Sequence, residues 1–335
     1  MSAVTRLQEI RGWLRMRRKI VRYRRNDGLN LPVPAVRLSR TAGDCRHDCE
    51  FGRDGERYRL GVPRDNMAYV LRYHRMAGFL HWLTLCPAEI TSFAVNLSDG
   101  HQPSQARFAM SVNRADVIPL PDSSFFASRG FRDLGAVAEV HNVDWSRRSS
   151  IIRWRGGTNG KGETDYSGSD AAWNEAVLPR IRMALILKGV AGTDVAFAGA
   201  KATVRERLQR DGLLRGFIPE SEWIGDKYAI DIDGYSNTWT NFLLRLHFGC
   251  CVLKVESQQG FSQWYYDRIR PWEHFVPVKA DMSDLVEKID WARSHDAEAR
   301  RIAKNGQAFA RSMTFESENE WAVNAICAAN GVSPA

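Results

Sequence analysis

Asp99 has the residue type and position of a proton acceptor. It follows the apolar segment Thr91–Leu97, which the sequence predicts to be a buried strand, and it lies in the run Ser98-Asp99-Gly100-His101. Ligands of α/β proteins collect at the carboxyl ends of parallel strands, and a carboxylate there can take a proton from a hydroxyl. Ser-Asp-Gly also favours a tight turn. The residues alone therefore leave a catalytic and a purely structural interpretation open.

Asp231 and Asp233 form a second candidate site. They stand one residue apart at the end of the predicted strand Lys227–Ile232. Two carboxylates in this arrangement can share a divalent cation with a diphosphate. Because so short a pattern often arises by chance, a structural role for both acids is the alternative.

A glycine-rich segment, Arg155-Gly-Gly-Thr-Asn-Gly-Lys161, follows the predicted strand Ser150–Trp154. Its glycines are one residue too close for a P-loop, and Gly162 stands where that motif has the serine or threonine that binds magnesium. An ATPase is therefore not indicated. Exposed amides flanked by Arg155 and Lys161 still suit an anion, although an ordinary turn would use the same residues.

The cysteines do not indicate a metal site or a disulfide framework. Cys45 and Cys49 flank His47, but no second pair of ligands with a common zinc spacing follows. Six cysteines in 335 residues are too few for a disulfide-stabilised fold. These residues indicate no cofactor, and a metal ion at Asp231 and Asp233 stays an open alternative at this point.

The pattern of short apolar strands alternating with helical segments predicts an α/β fold with parallel sheets. The candidate residues above would then lie at strand ends. We divide the chain into a basic amphipathic arm (residues 1–26), an N-terminal domain (27–149), a second domain (150–312) and a C-terminal helix or tail (313–335).

The positive charge is concentrated in the arm. Residues 1–25 contain nine Arg or Lys and one acid, whereas the remaining 38 basic and 38 acidic residues balance. Leu7, Ile10, Leu14 and Val21 recur at helical spacing among the arginines, a pattern typical of helices at anionic membrane surfaces. A solvated helix packed on its own domain is the alternative. The neutral body argues against nucleic acid.

No apolar run reaches the length of about 18 residues that a membrane span requires, and the basic N-terminus lacks the apolar core of a signal peptide. We therefore expect a cytoplasmic protein, which the arm would make peripheral at a membrane if it binds lipid.

Residues from about 90 to 312 resemble glycosyltransferase family 90, which includes protein O-glucosyltransferases, fungal capsule xylosyltransferases and bacterial lipopolysaccharide glycosyltransferases. The resemblance is carried by linked motifs in the expected order. They are Asn96-Leu-Ser-Asp99, Trp154-Arg-Gly156, Val177–Arg182, Tyr228–Gly234, Ser236–Trp239, Gly249–Val255, Gln263–Asp267, Pro271–Val278 and Asp296–Phe309.

The resemblance implies a GT-B architecture, with two Rossmann-like domains whose parallel sheets face a central cleft. It implies that residues 27–149 form the acceptor-side domain and residues 150–312 the domain that binds the UDP-sugar donor. It also implies metal-independent inversion at the sugar's anomeric carbon, with Asp99 as the base and His101 on the acceptor side. The candidate donor-binding residues are Arg155, Gly156, Gly157, Thr158, Arg180, Arg182, Gly234, Ser236, Asn237, Thr238, Trp239, Lys254 and Glu256. The sequence departs from the family at Thr240-Asn241, where protein O-glucosyltransferases have an arginine that meets the diphosphate; here Arg245 follows one turn later.

The predicted function is transfer of a hexose from a UDP-sugar to a hydroxyl of a bacterial glycolipid or oligosaccharide, with lipopolysaccharide core as the expected acceptor. The Asp-Gly-X-Ser-Asn form of residues 233–237 points to the bacterial branch. Two alternatives remain: a metal-dependent GT-A-like transferase that uses Asp231 and Asp233, and a non-catalytic carbohydrate-binding protein.

Overall fold

The computed structural model describes residues 31–39, 44–64, 75–141 and 143–334, together with positions 14, 18, 21, 22 and 29. The chain forms two compact units. The first consists of residues 1–130, 262–264 and 314–335, and the second of residues 131–261 and 265–313. The division thus falls 19 residues before the predicted boundary at 149/150, and residues 314–335 belong to the first unit.

The described part of the chain contains strands of two to nine residues and α-helices of five to seventeen residues. In chain order the strands are Ala35–Ser39 (β1), Asp48–Asp54 (β2), Arg57–Pro63 (β3), Ser92–Asn96 (β4), Phe108–Ala109 (β5), Ile118–Pro119 (β6), Ser149–Gly157 (β7), Thr193–Gly199 (β8), Asp226–Asp231 (β9), Cys251–Val255 (β10) and Val276–Val278 (β11). The helices are Ala77–Leu85 (α1), Ser123–Ala127 (α2), Arg132–Val140 (α3), Pro179–Ile186 (α4), Ala202–Arg210 (α5), Asn241–His247 (α6), Leu285–Ser294 (α7), Asp296–Ser312 (α8) and Phe315–Ala329 (α9).

The sheet of the first unit is mixed, which corrects the prediction that both sheets are parallel. Its described strands have the order β1-β3-β2-β4-β5-β6, and β2 runs antiparallel to both β3 and β4. The cause is local: β2 and β3 are joined by the two-residue turn Gly55-Glu56, in which Gly55 has φ +56°. A turn this short can join only antiparallel neighbours.

Helices α1 and α9 are joined in the first unit through a buried polar contact. The indole nitrogen of Trp82 donates a hydrogen bond to Asn319 Oδ1 at 2.7 Å. The indole nitrogen of Trp264 likewise donates to Glu318 Oε2 at 2.7 Å. Because buried polar groups need partners, these bonds fix α9 on the first unit although it follows the second unit in sequence.

The second unit contains a fully parallel sheet, with the described strands in the order β11-β10-β9-β7-β8. Every residue of β10 is buried, as expected for a central parallel strand covered on both faces. The predicted α/β class is therefore confirmed. The GT-B arrangement with a cleft between two sheets stays a prediction.

Two predicted elements have different limits in the structure. The sequence predicts a helix around Ala171–Lys188, but the helix begins only at Pro179, because the residue before a proline is driven out of the helical region; Leu178 has φ −47° and ψ 123°. The sequence also predicts a helix over Met67–Leu85, from apolar residues largely on one face and the following Pro87. This helix is observed as Ala77–Leu85, and residues 65–74 lie outside the described residues.

Most of the predicted N-terminal arm also lies outside the described residues. Its described positions Leu14, Arg18, Val21 and Arg22 are helical and exposed. None of the helices in the described part of the chain combines the length and the apolar composition needed to cross a membrane.

We predict that two helical glycines respond to alanine with opposite signs. A Cβ at Gly306 of α8 would lie 2.5 Å from the carbonyl oxygen of His274, so Gly306→Ala should lower the free energy of unfolding by about 1–3 kcal/mol. A Cβ at Gly135 of α3 meets nothing within 4 Å, so Gly135→Ala should raise it by about 0.4–1 kcal/mol. Urea unfolding measures both, and equal effects would contradict the packing of α8.

Candidate functional site

A cavity of about 420 Å³ lies in the second unit at the carboxyl ends of β7 and β8. Ligands of parallel-sheet proteins bind at this end of the strands. Its walls combine cationic side chains, glycine backbone and aromatic rings. The lining residues are Arg155, Gly156, Gly157, Ala198, Gly199, Phe217, Ile218, Glu220, Trp223, Thr240, Asn241 and Arg245.

Arg155 is held in the cavity wall by Asp194. One terminal nitrogen of its guanidinium donates to both carboxylate oxygens, at 2.7 and 2.8 Å. Arg215 lies 2.7 Å and Arg153 3.4 Å from the same carboxylate. Burial raises the pKa of Asp194, but the three arginines outweigh burial and hold the pKa below its usual value. Asp194 is therefore ionised and holds the Arg155 guanidinium in place.

Arg245 supplies the second cation of the cavity. Its guanidinium carbon lies 3.7 Å from the centroid of the Trp223 ring, and a terminal nitrogen bonds to Glu220. Arg245 is not among the donor-binding candidates predicted from the sequence. It follows by one turn the position where the family has an arginine, and its distance from Arg155 depends on how α6 packs. In the described residues the Nε atoms of Arg155 and Arg245 are buried without a hydrogen-bond partner. Each of these arginines therefore keeps one N–H group that no described residue satisfies.

Phe217 adds an apolar surface to the cavity. Its side chain is 70% exposed, unusual for a phenylalanine. The cavity thus offers cations, bare glycine backbone and an aromatic ring to one ligand. A phosphorylated compound with a planar or apolar portion has the matching chemistry.

Beneath Asn241 lies a buried ion pair. Asp231, which is fully buried, accepts hydrogen bonds from Lys254 Nζ at 2.7 Å, Thr238 Oγ1 at 2.5 Å and Asn241 Nδ2 at 2.9 Å. Burial lowers the pKa of Lys254, but Asp231 and Asp233 outweigh burial and raise it. The pair connects β9, β10 and the first residue of α6, and so fixes the cavity side chain of Asn241.

The same pair occupies the place where the sequence suggested a divalent cation. Lys254 Nζ lies 2.7 Å from Asp231 Oδ2 and 3.7 Å from Asp233 Oδ1. An ammonium group thus stands between the carboxylates. In the part of the chain that the structure describes, no three His, Cys, Asp or Glu side chains converge as metal ligands.

Arg180 and Arg182, two predicted donor-binding residues, are buried and bonded to backbone carbonyls rather than lining the cavity. Arg180 donates to the carbonyl oxygens of Asp233 at 2.9 Å and Gly157 at 3.1 Å. Burial lowers its pKa to about 10, against the opposing effect of Asp231 and Asp233. Arg182 donates to the carbonyls of Ala172 and Asp281. Arg180 therefore supports the loop after β9.

The remaining predicted donor residues lie around this loop. Thr158 accepts a hydrogen bond from the Lys201 amide at 2.9 Å, and Asn237 donates to the carbonyl of Phe261 at 3.0 Å. Gly234 and Ser236 close a turn, Trp239 is half-buried, and the side chain of Glu256 is exposed. Of the predicted donor residues, only Arg155, Gly156 and Gly157 line the cavity. Arg155–Gly157 is the end of β7 rather than a loop.

In the first unit, Asp99 lies three residues beyond β4, as the sequence predicted. A terminal nitrogen of Arg75 is 2.8 Å from Asp99 Oδ1, and the Asp99 side chain is 32% exposed. Burial lowers the pKa of His101, Asp99 opposes this effect, and Arg75 adds to it. His47 has a pKa lowered by burial and by His101 and Arg75. Asp99 is thus a partly exposed carboxylate beside an arginine and two histidines that are neutral at pH 7.

The family comparison covers most of the second unit. Residues 175–318 match the model of glycosyl transferase family 90. The predicted resemblance is confirmed over this segment, and its motifs before residue 175 stay a prediction. The segment carries the cavity residues from Ala198 to Arg245, whereas Arg155, Gly156 and Gly157 precede it.

Curated relatives match over short segments. Protein O-glucosyltransferase 3 of Rattus norvegicus is 42% identical over 100 residues, which is 30% of this chain and 18% of the relative. Protein O-glucosyltransferase 2 of Danio rerio is 41% identical over 86 residues, 26% of this chain and 17% of the relative. The uncharacterized protein 035R of Invertebrate iridescent virus 3 is 27% identical over 178 residues, 50% of this chain and 15% of the relative. The chain thus spans less than a fifth of the length of each.

Among solved structures, that of Anabaena Alr3699/HepE in complex with UDP and glucose aligns with 58% of this chain and 52% of its own. The TM-score is 0.35 and the sequence identity 11%.

We predict that Lys254→Met destabilises the protein strongly, by about 3–5 kcal/mol at neutral pH, because it leaves two buried carboxylates without their cation. The folded-state pKa of Lys254 lies above the unfolded value of about 10.4. The pair's contribution to the free energy of unfolding is therefore complete below that pH and is lost as pH rises through the folded pKa. The difference in the free energy of unfolding between wild type and Lys254→Met should then become smaller in strong alkali.

Denaturant unfolding at several pH values measures this effect. Arg114→Gln, which breaks the exposed pair with Asp116, is the control and should leave stability unchanged. A Lys254→Met protein as stable as this control would show that the buried pair does not hold the strands together.

Proposed function

We propose that the chain is an inverting, metal-independent glycosyltransferase that moves a hexose from a UDP-sugar to a hydroxyl of a glycolipid, with lipopolysaccharide core as the acceptor. The observation that carries the proposal is the cavity with two arginines at the carboxyl ends of parallel strands. Most of its lining comes from the segment that matches family 90.

The cavity suits the donor. A nucleotide diphosphate needs cations and amides near its phosphates, and Arg155 and Arg245 each retain an unsatisfied buried Nε–H. Glycines at positions 156 and 157 let a ligand approach the backbone closely. A hexose donor is supported by relatives whose names describe O-glucosyltransferases. The acceptor and the bacterial branch rest on the sequence motifs alone.

The proposed reaction is a single displacement. Asp99 accepts the proton of the acceptor hydroxyl while that oxygen forms a bond to the anomeric carbon and the bond from this carbon to the diphosphate breaks. UDP then leaves with increased negative charge, and Arg155 and Arg245 stabilise it. This route requires the GT-B arrangement, so that an acceptor on the first unit can reach a donor on the second; that arrangement is part of the proposal.

Metal independence is supported by Lys254. A divalent cation between Asp231 and Asp233 would have to displace an ammonium group that is hydrogen-bonded at 2.7 Å. Like charges in so small a buried space repel strongly. The metal-dependent alternative is therefore disfavoured. In the proposed mechanism the arginines stabilise the negative charge of the leaving diphosphate.

The test compares wild type with Asp99→Asn, which keeps the shape of the side chain but accepts a proton poorly. We expect wild type to transfer a hexose from a UDP-sugar at equal rates with and without EDTA. Asp99→Asn should lower kcat at least about 100-fold, the usual contribution of a general base. Donor Kd from calorimetry should stay within a few-fold, because the cavity is in the other unit.

Asp133→Asn, on a side chain that is 95% exposed, is the matched control and should behave as wild type. Abolition by EDTA with recovery in manganese would overturn the metal-independent mechanism. Near wild-type turnover by a folded Asp99→Asn protein would rule out Asp99 as the base. Absence of binding and transfer across a panel of UDP-sugars would favour the non-catalytic alternative.

We also propose that the arm holds the enzyme at the cytoplasmic face of the inner membrane. Leu7, Ile10, Leu14 and Val21 recur at helical spacing in the sequence of the arm, and Leu14 and Val21 are each 43% exposed. Exposed leucine and valine between arginines match a helix lying at an anionic lipid surface.

Deleting residues 1–25 should therefore abolish sedimentation with anionic vesicles, since each cation near the surface contributes about 1 kcal/mol. Neutral vesicles are the control and should bind neither protein. Turnover should fall on a membrane-borne acceptor and persist on a soluble one. Equal loss of turnover on both acceptors would indicate a structural arm.

A further inference from the structure

Arg75 grips the Asp99 loop at two points. One terminal nitrogen of its guanidinium lies 2.8 Å from Asp99 Oδ1, and the other donates to the carbonyl oxygen of Leu97 at 3.0 Å. Only 13% of the Arg75 side chain is exposed. Both nitrogens belong to one rigid plane, so the two bonds together set the position of the carboxylate relative to the end of β4.

We propose that Arg75 is a positioning residue for Asp99: it orients the carboxylate so that the oxygen outside the salt bridge accepts the acceptor's proton. This inference rests on the proposed function. The salt bridge is made through Oδ1, and 32% of the Asp99 side chain is exposed, so the carboxylate is not closed off by its partner. General-base catalysis needs this geometry, since a heavy-atom distance of about 2.6–3.2 Å to the hydroxyl must be kept.

The backbone of the loop has supports of its own. Asn96 Oδ1 accepts a hydrogen bond from the Ser98 amide at 2.8 Å, and Ser98 Oγ accepts one from the Gly100 amide at 3.0 Å. Asn96 in turn donates to Asp48 Oδ1 at 3.0 Å, and Asp48 Oδ2 accepts from the Gln105 amide at 2.7 Å. Loss of the arginine should therefore release the Asp99 side chain without unfolding the loop, which separates a positioning role from a structural one.

A lysine at position 75 cannot reproduce both of these contacts. A single ammonium group has no fixed fork, so it cannot hold the carboxylate and the Leu97 carbonyl in one plane. Free guanidinium ion, in contrast, has the planar fork of the arginine and can enter the space that Arg75→Ala leaves. Rescue by guanidinium but not by other cations is thus specific to the proposed role.

The experiment measures kcat, KM for acceptor, donor Kd and melting temperature for wild type, Arg75→Ala, Arg75→Lys and Asp99→Asn. We expect Arg75→Ala to lower kcat about 10–100-fold, the effect of misplacing a reacting group by about 1 Å. Donor Kd should stay within twofold. Millimolar guanidinium chloride should restore at least a third of the lost kcat of Arg75→Ala, equal sodium chloride should not, and Asp99→Asn should not respond. Arg75→Lys should remain below half of wild-type kcat.

Arg59→Ala is the matched control, since Arg59 pairs with Glu50 at 3.5 Å on the same sheet, and it should keep wild-type turnover. Wild-type kcat in Arg75→Ala while Asp99→Asn is inactive would overturn the inference and leave the proposed function intact. A loss of turnover that guanidinium does not restore, or that follows the loss of folded protein, would also overturn it in favour of a structural role. Full activity of Asp99→Asn would instead remove the proposed function itself.

Discussion

The buried contact between Lys254 and Asp231 is the constraint on which the second unit depends. A lysine and an aspartate in the centre of a parallel sheet cost desolvation free energy, so each must be satisfied by the other and by further donors. Thr238 and Asn241 complete the set around Asp231. These bonds fix β9, β10 and the start of α6 relative to one another. They also hold the polar side chain of Asn241 at the cavity.

Charge in this unit is arranged in two layers. The inner layer is compensated, with Lys254 and Arg180 near Asp231 and Asp233, and its groups are bonded to one another or to backbone carbonyls. The wall of the cavity is different: Arg155 pairs with Asp194, and Arg245 is stacked on Trp223 and bonded to Glu220. In the described residues each of these two arginines also keeps an Nε–H group without a hydrogen-bond partner.

In the first unit, the candidate carboxylate of Asp99 is held separately from the loop that carries it. The loop after β4 is fastened through its backbone by Asn96, Ser98 and Asp48, whereas the carboxylate of Asp99 is held separately by Arg75. A rigid loop with a separately held carboxylate is the arrangement that proton transfer requires, since distance and direction to the hydroxyl decide the rate. The two histidines nearby are neutral at pH 7 because they are partly buried beside a cation.

The sequence by itself determined the α/β class, the strands of the second unit, the position of Asp99 after β4 and the family resemblance, because alternating apolar runs and linked motifs are local signals. It could not decide which arginine faces the cavity. In the sequence Arg180, Arg182 and Arg155 have equal standing as donor-binding candidates, yet Arg180 and Arg182 are buried and hydrogen-bonded to backbone carbonyls. Arg245 lines the cavity because of the way α6 packs. Nor could it show that Lys254 stands between two acids 21 and 23 residues earlier, or that Arg75 grips Asp99. Such contacts join residues far apart in the chain, and only the packing of helices and strands brings them within bonding distance.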